Sequence, residues 1–486
     1  MRSPLRNPFP LAALVTALVA LVAPAGALAD SASSSGTAAP SAANSLLQLP
    51  GSKGCIVDSA VAGKGACGSA RALDGPAPFL GSRALALSPD GRNLYVAASE
   101  SDAIAIFRRD PRSGTLTQAR GLAGCVAAQG ASGCTPAVGI DGPNSLALSP
   151  DGRNVYVTSL KSEALTSFRR DPKTGALAQA ADASGCIAGI PLVGCVSGRA
   201  LVGPDVVTVS PDGANVYVGS FFGNAVAIFN RSASNGALGQ PSGSAGCIAL
   251  AISGCALGIA LGAPEGMAIS GDGASVYVAA AVSNALVVLS RNPSGGALTQ
   301  AGDGSGCIAA APFAGCTTGA ELEGANAVAV SPDGDDVYVT SLLSDSVTSF
   351  SRAAAGTLTQ KSGSAGCAVF LRAAGCSLGR ALKAPEGLAV ARDGSGLYAA
   401  AFVSGALDVF ARDRQSGRIA QRPGAAGCLA PRAVPDCRRG RALKGVSSIA
   451  VSADSRFVYA AAFGSDAVSI FRRVPAVKRA GTPGGK

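Results

Sequence analysis

The chain has 486 residues, 48% hydrophobic and 14% charged, with 64 glycines, no tryptophan and no histidine. That profile excludes a disordered chain and favours many short strands joined by tight turns over long helices. The formal charge of +10 is scattered apart from Arg438, Arg439, Arg441 and Lys444, so no basic stripe is present and nucleic acid is not an expected partner.

Residues 1–29 read as a secretory signal peptide. Arg2 and Arg6 precede an apolar run from Leu11 to Val22, and "ALA" at 27–29 supplies small residues for cleavage. The run is too short for a permanent membrane anchor, and no other segment reads as transmembrane. Residues 30–44, rich in Ser and Ala, read as a flexible linker. The mature protein is therefore expected outside the cytoplasm (secreted, periplasmic or at the cell surface) as a monomer that is not integral to a membrane.

A repeat begins at residue 45. An "SPDG"-like turn recurs with its Asp at Asp90, Asp151, Asp212, Asp272, Asp333, Asp393 and Asp454, spaced 60 or 61 residues apart. Each turn lies between two apolar runs such as "SLALS" and "NVYVTS", which is the signature of a hairpin. A third run follows ("ALTSFRR"), then a short fourth ("ALAQ"). Four short antiparallel strands repeated seven times give an all-β chain, a seven-bladed β-propeller. The last third strand ends at Arg473 with no fourth strand after it, while "SLLQLPGSKGC" at 45–55 matches "TLTQARGLAGC" at 115–125. The N-terminal strand is thus expected to complete the last blade, making residues 45–473 the propeller and 474–486 a disordered tail.

"LYVAAS" and "VYVTS" after "SPDGRN" resemble the YVTN repeat of bacterial propellers, including the lactonase-like seven-bladed group. The resemblance spans all seven units. It implies the fold strongly and an activity weakly. Lactonases of this kind use a histidine base with arginine and acidic partners, and this chain has no histidine to take that role.

Fourteen cysteines fall as Cys55/Cys67, Cys125/Cys134, Cys186/Cys195, Cys247/Cys255, Cys307/Cys316, Cys367/Cys376 and Cys428/Cys437, one pair in each loop between fourth strand and next blade. Paired cysteines in an extracytoplasmic chain read as disulfides, each closing its own loop for about 2.5–3 kcal/mol. Metal or redox use would call for C-x-x-C spacing or histidine, and both are missing.

Seven residues before each repeat Asp stand Arg83, Asn144, Asp205, Glu265, Asn326, Glu386 and Ser447, at the start of the innermost strand. A repeat position that is polar in every blade, with three carboxylates and an arginine, suits a hard cation such as Ca²⁺ or a small polar ligand at the channel mouth. A hydrated mouth without ligand is the other reading. Arg109, Arg170, Arg231, Arg291, Arg352, Arg412 and Arg473 recur in every blade beside the "SPDG" turns and read as structural ion pairs. The pairs at 221–222, 342–343 and 402–403 sit in loops of the mouth face, as partner contacts or as packing.

Two functions follow. The first is a binding scaffold presenting its loop-rich face to a protein, glycan or small polar ligand, with no catalysis. The alternative is a lactonase-like hydrolase with a metal- or carboxylate-based site at the channel mouth, with Asp205, Glu265 or Glu386 as candidate metal ligands.

Overall fold

A computed structural model describes residues 45–61, 66–76, 83–371, 373, 375–431 and 434–474. The expected signal peptide and linker, and the expected tail from residue 475, lie outside the described residues.

The described residues form seven sheets, each of six strands. In blade 2 the innermost strand Pro143–Leu148 pairs with Asn154–Ser159, which pairs with Ala164–Arg170. The fourth strand is broken. Leu177–Gln179 pairs with the end of the third strand, a 3₁₀ turn follows over Ala183–Gly185, and Cys186–Ala188 pairs with its beginning. A two-residue strand, Val196–Ser197, then adds in parallel at the rim. The four expected strands are therefore present, with a divided fourth and a short parallel fifth. A very short outermost strand offers little edge for pairing with another chain.

Second strands such as Asn154–Ser159 are buried along their whole length. Each lies in a blade flanked on both faces by other blades, so both faces must be apolar, and the alternation of a half-exposed strand gives way to a continuous "VYV" run.

All seven disulfides join the expected partners, and there is no free cysteine. Their setting differs from the expected one, because the cysteines belong to the sheet and not to free loops. The first member of each pair (Cys55, Cys125, Cys186, Cys247, Cys307, Cys367, Cys428) opens the outer half of a fourth strand. The second directly precedes the parallel strand at the rim: Cys67 before Gly68–Ala70, Cys134 before Thr135–Ala137 and Cys195 before Val196–Ser197. Cys255, Cys316, Cys376 and Cys437 stand in the same place before Ala256–Leu257, Thr317–Thr318, Ser377–Leu378 and Arg438–Arg439. The register explains the pairing. Ile187 lies opposite Val196 and Ile56 opposite Gly68, so the residue before each, a cysteine, faces a cysteine. Their Cα atoms are 4.6–4.9 Å apart, which is the spacing of neighbouring strands. The bridge thus staples a two- or three-residue strand that its few ladder hydrogen bonds would hold weakly. The inner cysteines are buried, and of the outer ones only Cys134 is, the rest being half-buried at the rim.

Polar side chains fasten each blade to the previous one. Arg170 of blade 2 donates from Nε to Tyr95 Oη at 2.8 Å and from Nη2 to Asp90 Oδ2 at 2.9 Å, both in blade 1. Tyr95 in turn donates to Gly175 O of blade 2 at 2.8 Å. The repeated arginines are thus structural as expected, with their partners across the blade boundary. The repeated glutamines do similar work: Gln179 accepts from Val138 N and donates to Val138 O, both at 2.9 Å.

The ring closes through the N-terminus. Leu46–Gln48 and Cys55–Asp58 pair with Ala467–Arg473, in register Leu46↔Arg473 and Cys55↔Ser469. The basic cluster of the sequence belongs to this seam: Arg438 donates to Leu46 O, and Arg441 to Leu49 O and Gly51 O. Among the described residues blade 7 has no counterpart of the turn that supplies Gly175 O in blade 2. Tyr398 Oη of blade 6 accordingly meets no such carbonyl among the described residues. This supplies an internal control. Tyr217→Phe strands Arg291 Nε and Gly296 O and is expected to cost about 1–3 kcal/mol. Tyr398→Phe should cost far less. Denaturant midpoints of the two variants check this, and equal losses would contradict it.

Candidate active site in the channel

The innermost strands stand side by side around the axis. Each of those in blades 2 to 7 carries an irregularity where the polar ring position falls. Pro143 pairs with Ser159 and Ser145 with Thr158, so Asn144 is the extra residue of a bulge. The same shift frames Asp205, Glu265, Asn326, Glu386 and Ser447. A bulge re-aims the side chain it carries, and here it does so at one level in six blades.

Blade 1 differs. Pro76 bridges Ala98 as Pro143 pairs with Ser159, but Pro76 stands fourteen residues before Asp90 where Pro143 stands eight before Asp151. Arg83 therefore precedes the innermost strand Leu85–Leu87 instead of lying within it, a departure from the expected position. The cause is the added length. Arg83 is partly buried, and its Nη2 lies 3.5 Å from Val328 O of blade 5. Burial lowers its guanidinium pKa to about 10.

The other six ring residues are buried. Asn144 donates from Nδ2 to Asp205 Oδ1 at 2.7 Å, while its own Oδ1 accepts from Thr158 Oγ1 at 3.0 Å. Asn326 donates to Glu265 Oε2. Among the described residues Glu386, 0% exposed, has no partner for either carboxyl oxygen, and Asp205 Oδ2 and Asn326 Oδ1 have none either. Ser447 faces blade 6 through its backbone: a Cβ added at Gly387 would lie 2.4 Å from Ser447 O. Likewise a Cβ on Gly266 would lie 2.2 Å from Asn326 O. Both glutamates are thus followed by a glycine because adjacent inner strands touch at that level.

Burial dominates the electrostatics. It pushes the Glu265 carboxyl up to about 8, with the Asn326 amide opposing. It raises Asp205, to which the charge of Glu265 adds and which Asn144 holds back. It raises Glu386, with Glu265 and Asp205 adding to the effect. Burial thus raises all three carboxyls, the kind of shift that suits a carboxyl to general acid or base work.

The unpartnered oxygens are of the type that binds Ca²⁺. Among the described residues, however, no three His, Cys, Asp or Glu side chains are gathered closely enough to hold a metal ion. The donors fit by type but not by placement, and no step is routed through a metal.

Two features escaped the sequence reading. Threonine in "VYVTS" occurs in blades 2 and 5, the blades with asparagine in the ring, and Thr158 orients the Asn144 amide. Asp408 is a further fully buried carboxyl, raised by burial, in the third strand of blade 6. It accepts from Gln421 and lies away from the ring position.

The family described as lactonase, 7-bladed beta-propeller matches residues 75–125 and 264–434. No curated protein matches the chain. Among solved structures, hydrazine synthase of Kuenenia stuttgartiensis is similar at 17% identity and TM-score 0.50, over 81% of this chain and 96% of that one. A proposed 6-phosphogluconolactonase of Bacteroides fragilis is similar at 19% and 0.48, over 70% and 82%. A periplasmic gluconolactonase of Pseudomonas aeruginosa stands at 24% and 0.45, over 70% and 83%. At these identities the likeness is one of fold.

Proposed function

The chain belongs to the lactonase-like seven-bladed β-propellers, and we propose that it hydrolyses a lactone at the channel ring, outside the cytoplasm. The observation that carries the reading is the trio Asp205, Glu265 and Glu386, two of which fall in the matched stretch 264–434. The family match favours this over the binding scaffold placed first on sequence grounds. The extracytoplasmic location rests on the seven disulfides, which need an oxidising compartment.

Carboxyls take the place of histidine. Glu386, ionised in the working form, accepts a proton from the attacking water. Arg83 stabilises negative charge on the carbonyl oxygen as the tetrahedral intermediate forms. Glu265, protonated below about pH 8, returns a proton to the ring oxygen as its bond to the carbonyl carbon breaks. The product is the open hydroxy acid, and the proton left on Glu386 restores Glu265. A bell-shaped rate profile follows, with its alkaline limb near 8.

The test is pH-stat turnover of a panel of γ- and δ-lactones. Wild type should hydrolyse at least one, with chelator making no difference, and Arg83→Met should slow it by about 10²-fold or more. A panel with no turnover, or activity that chelator abolishes, would remove this reading.

A further inference from the structure

The face around the channel mouth is lopsided. The turn between second and third strands places one side chain, ten residues after the repeat Asp, at its tip. In blades 3 to 6 this residue is Phe222, Val282, Leu343 and Val403, exposed by 48%, 70%, 56% and 55%. In blades 1, 2 and 7 it is Glu100, Lys161 and Gly464. Lys161 is paired with Asp102 and Asp141, so that side of the mouth is charged.

These apolar tips are fixed against the segments that lead into the ring. Phe221 donates from its backbone to Gly203 O, Val282 to Gly262 O and Leu342 to Gly324 O. The side chains of Phe222 and Leu343 lean over two of these glycines. A Cβ on Gly203 would lie 2.4 Å from Phe222 Cδ2, and one on Gly324 2.9 Å from Leu343 Cγ. Gly203 and Gly324 stand two residues before Asp205 and Asn326 and have φ of +61° and +66°. The Phe221 ring meets Phe222 edge-on at 5.0 Å. Four exposed apolar side chains in one arc, continuous with the polar ring that carries Asp205, Glu265 and Glu386, form a preorganised amphipathic surface.

We propose that the ligand of this face is a lactone carrying an aliphatic or aromatic substituent, with its polar ring directed to the channel and its apolar part along Phe222, Val282, Leu343 and Val403. A polyhydroxylated sugar lactone would lay its hydroxyls against those side chains, losing water there without gaining hydrogen-bond partners, and is disfavoured. The inference rests on the hydrolase reading for what happens to the ligand, but not for where it binds.

Binding and turnover are therefore measured separately. Calorimetry with γ-lactams bearing alkyl chains of one to six carbons reports binding, since lactams resist hydrolysis. Affinity should rise roughly two- to fourfold per methylene until the chain outruns the arc. Phe222→Ser with Leu343→Ser should flatten that rise. If the serine variant does not fold, Val282→Thr with Val403→Thr serves, being near-isosteric. The same chain-length slope in kcat/KM for alkyl lactones, and poor use of glucono-δ-lactone, are expected. Affinity independent of chain length, or a slope that survives both double variants, overturns the proposal. So does a change of oligomeric state in the variants with the slope intact, which would mean that a second copy covers the arc. A lactam slope without turnover of any lactone upholds the surface and removes the hydrolase reading.

Discussion

Deletion of Ser45 to Pro50 is expected to destroy the soluble fold, while deletion of residues 30–40 leaves thermal stability nearly unchanged. The first segment is short, but much depends on it. Leu46 is 1% exposed and sits in the core with Tyr398, Val446 and Phe471. Gln48 accepts from Arg441 N and donates to Arg441 O. Leu49 N donates to Ile470 O, and Val474 N to Ser45 O. Losing a buried leucine costs about 2–5 kcal/mol, and each buried polar group left unpaired adds about 1–3 kcal/mol. The sum is comparable with the whole stability of an ordinary domain. It also bares the edge of Phe471–Arg473, a template for aggregation. Soluble yield, melting temperature and protease resistance of the two deletions decide the matter. Equal behaviour would mean that the seam is not where the ring is held.

That seam was legible because the fourth-strand motif is written at both ends of the circle, and repetition turns a weak local signal into a register. The disulfide partners were legible for the same reason. The strands they join were not, because a run as short as "VS" after Cys195 or "TT" after Cys316 carries no period of its own. The division of the fourth strand was hidden too. "ALAQ" and "GCIA" lie six residues apart and read as a strand and a loop, because nothing local reveals that both pair with the same third strand. Counting back seven residues from the Asp lands on the inner-strand bulge in six blades, but before the strand at Arg83, where the chain is longer. The bulges that aim the ring side chains were invisible, since a one-residue bulge changes pairing and not composition. The "Glu-Gly" steps at 265–266 and 386–387 did carry the signal of strand contact, but only beside the backbone carbonyls of Asn326 and Ser447 does their meaning appear.

Glu386→Gln and Glu265→Gln are expected to move activity and stability in opposite directions. Loss of the base, or of the acid, should slow lactone hydrolysis by about 10²–10⁴-fold. Stability should rise. An ordinary glutamate in the unfolded chain titrates near 4.3, whereas Glu265 in the fold titrates at about 8. Between those values the unfolded state releases the proton and the folded state keeps it. The stability contributed by a protonated Glu265 is thus full below about pH 4.3 and is lost progressively up to about 8. At pH 7 a glutamine, which never ionises in either state, escapes that loss and should gain about 1–3 kcal/mol. Glu386 follows the same sign, being raised by burial and by the neighbouring Glu265 and Asp205. Wild type should therefore lose melting temperature steadily from about pH 5 to 8, and the two variants should show flatter profiles that cross above it. Concurrent loss of turnover and gain of stability is the mark of acids kept in a dry channel for chemistry. Variants that melt lower than wild type at pH 7 while hydrolysing lactones at the same rate would show that the ring is structural.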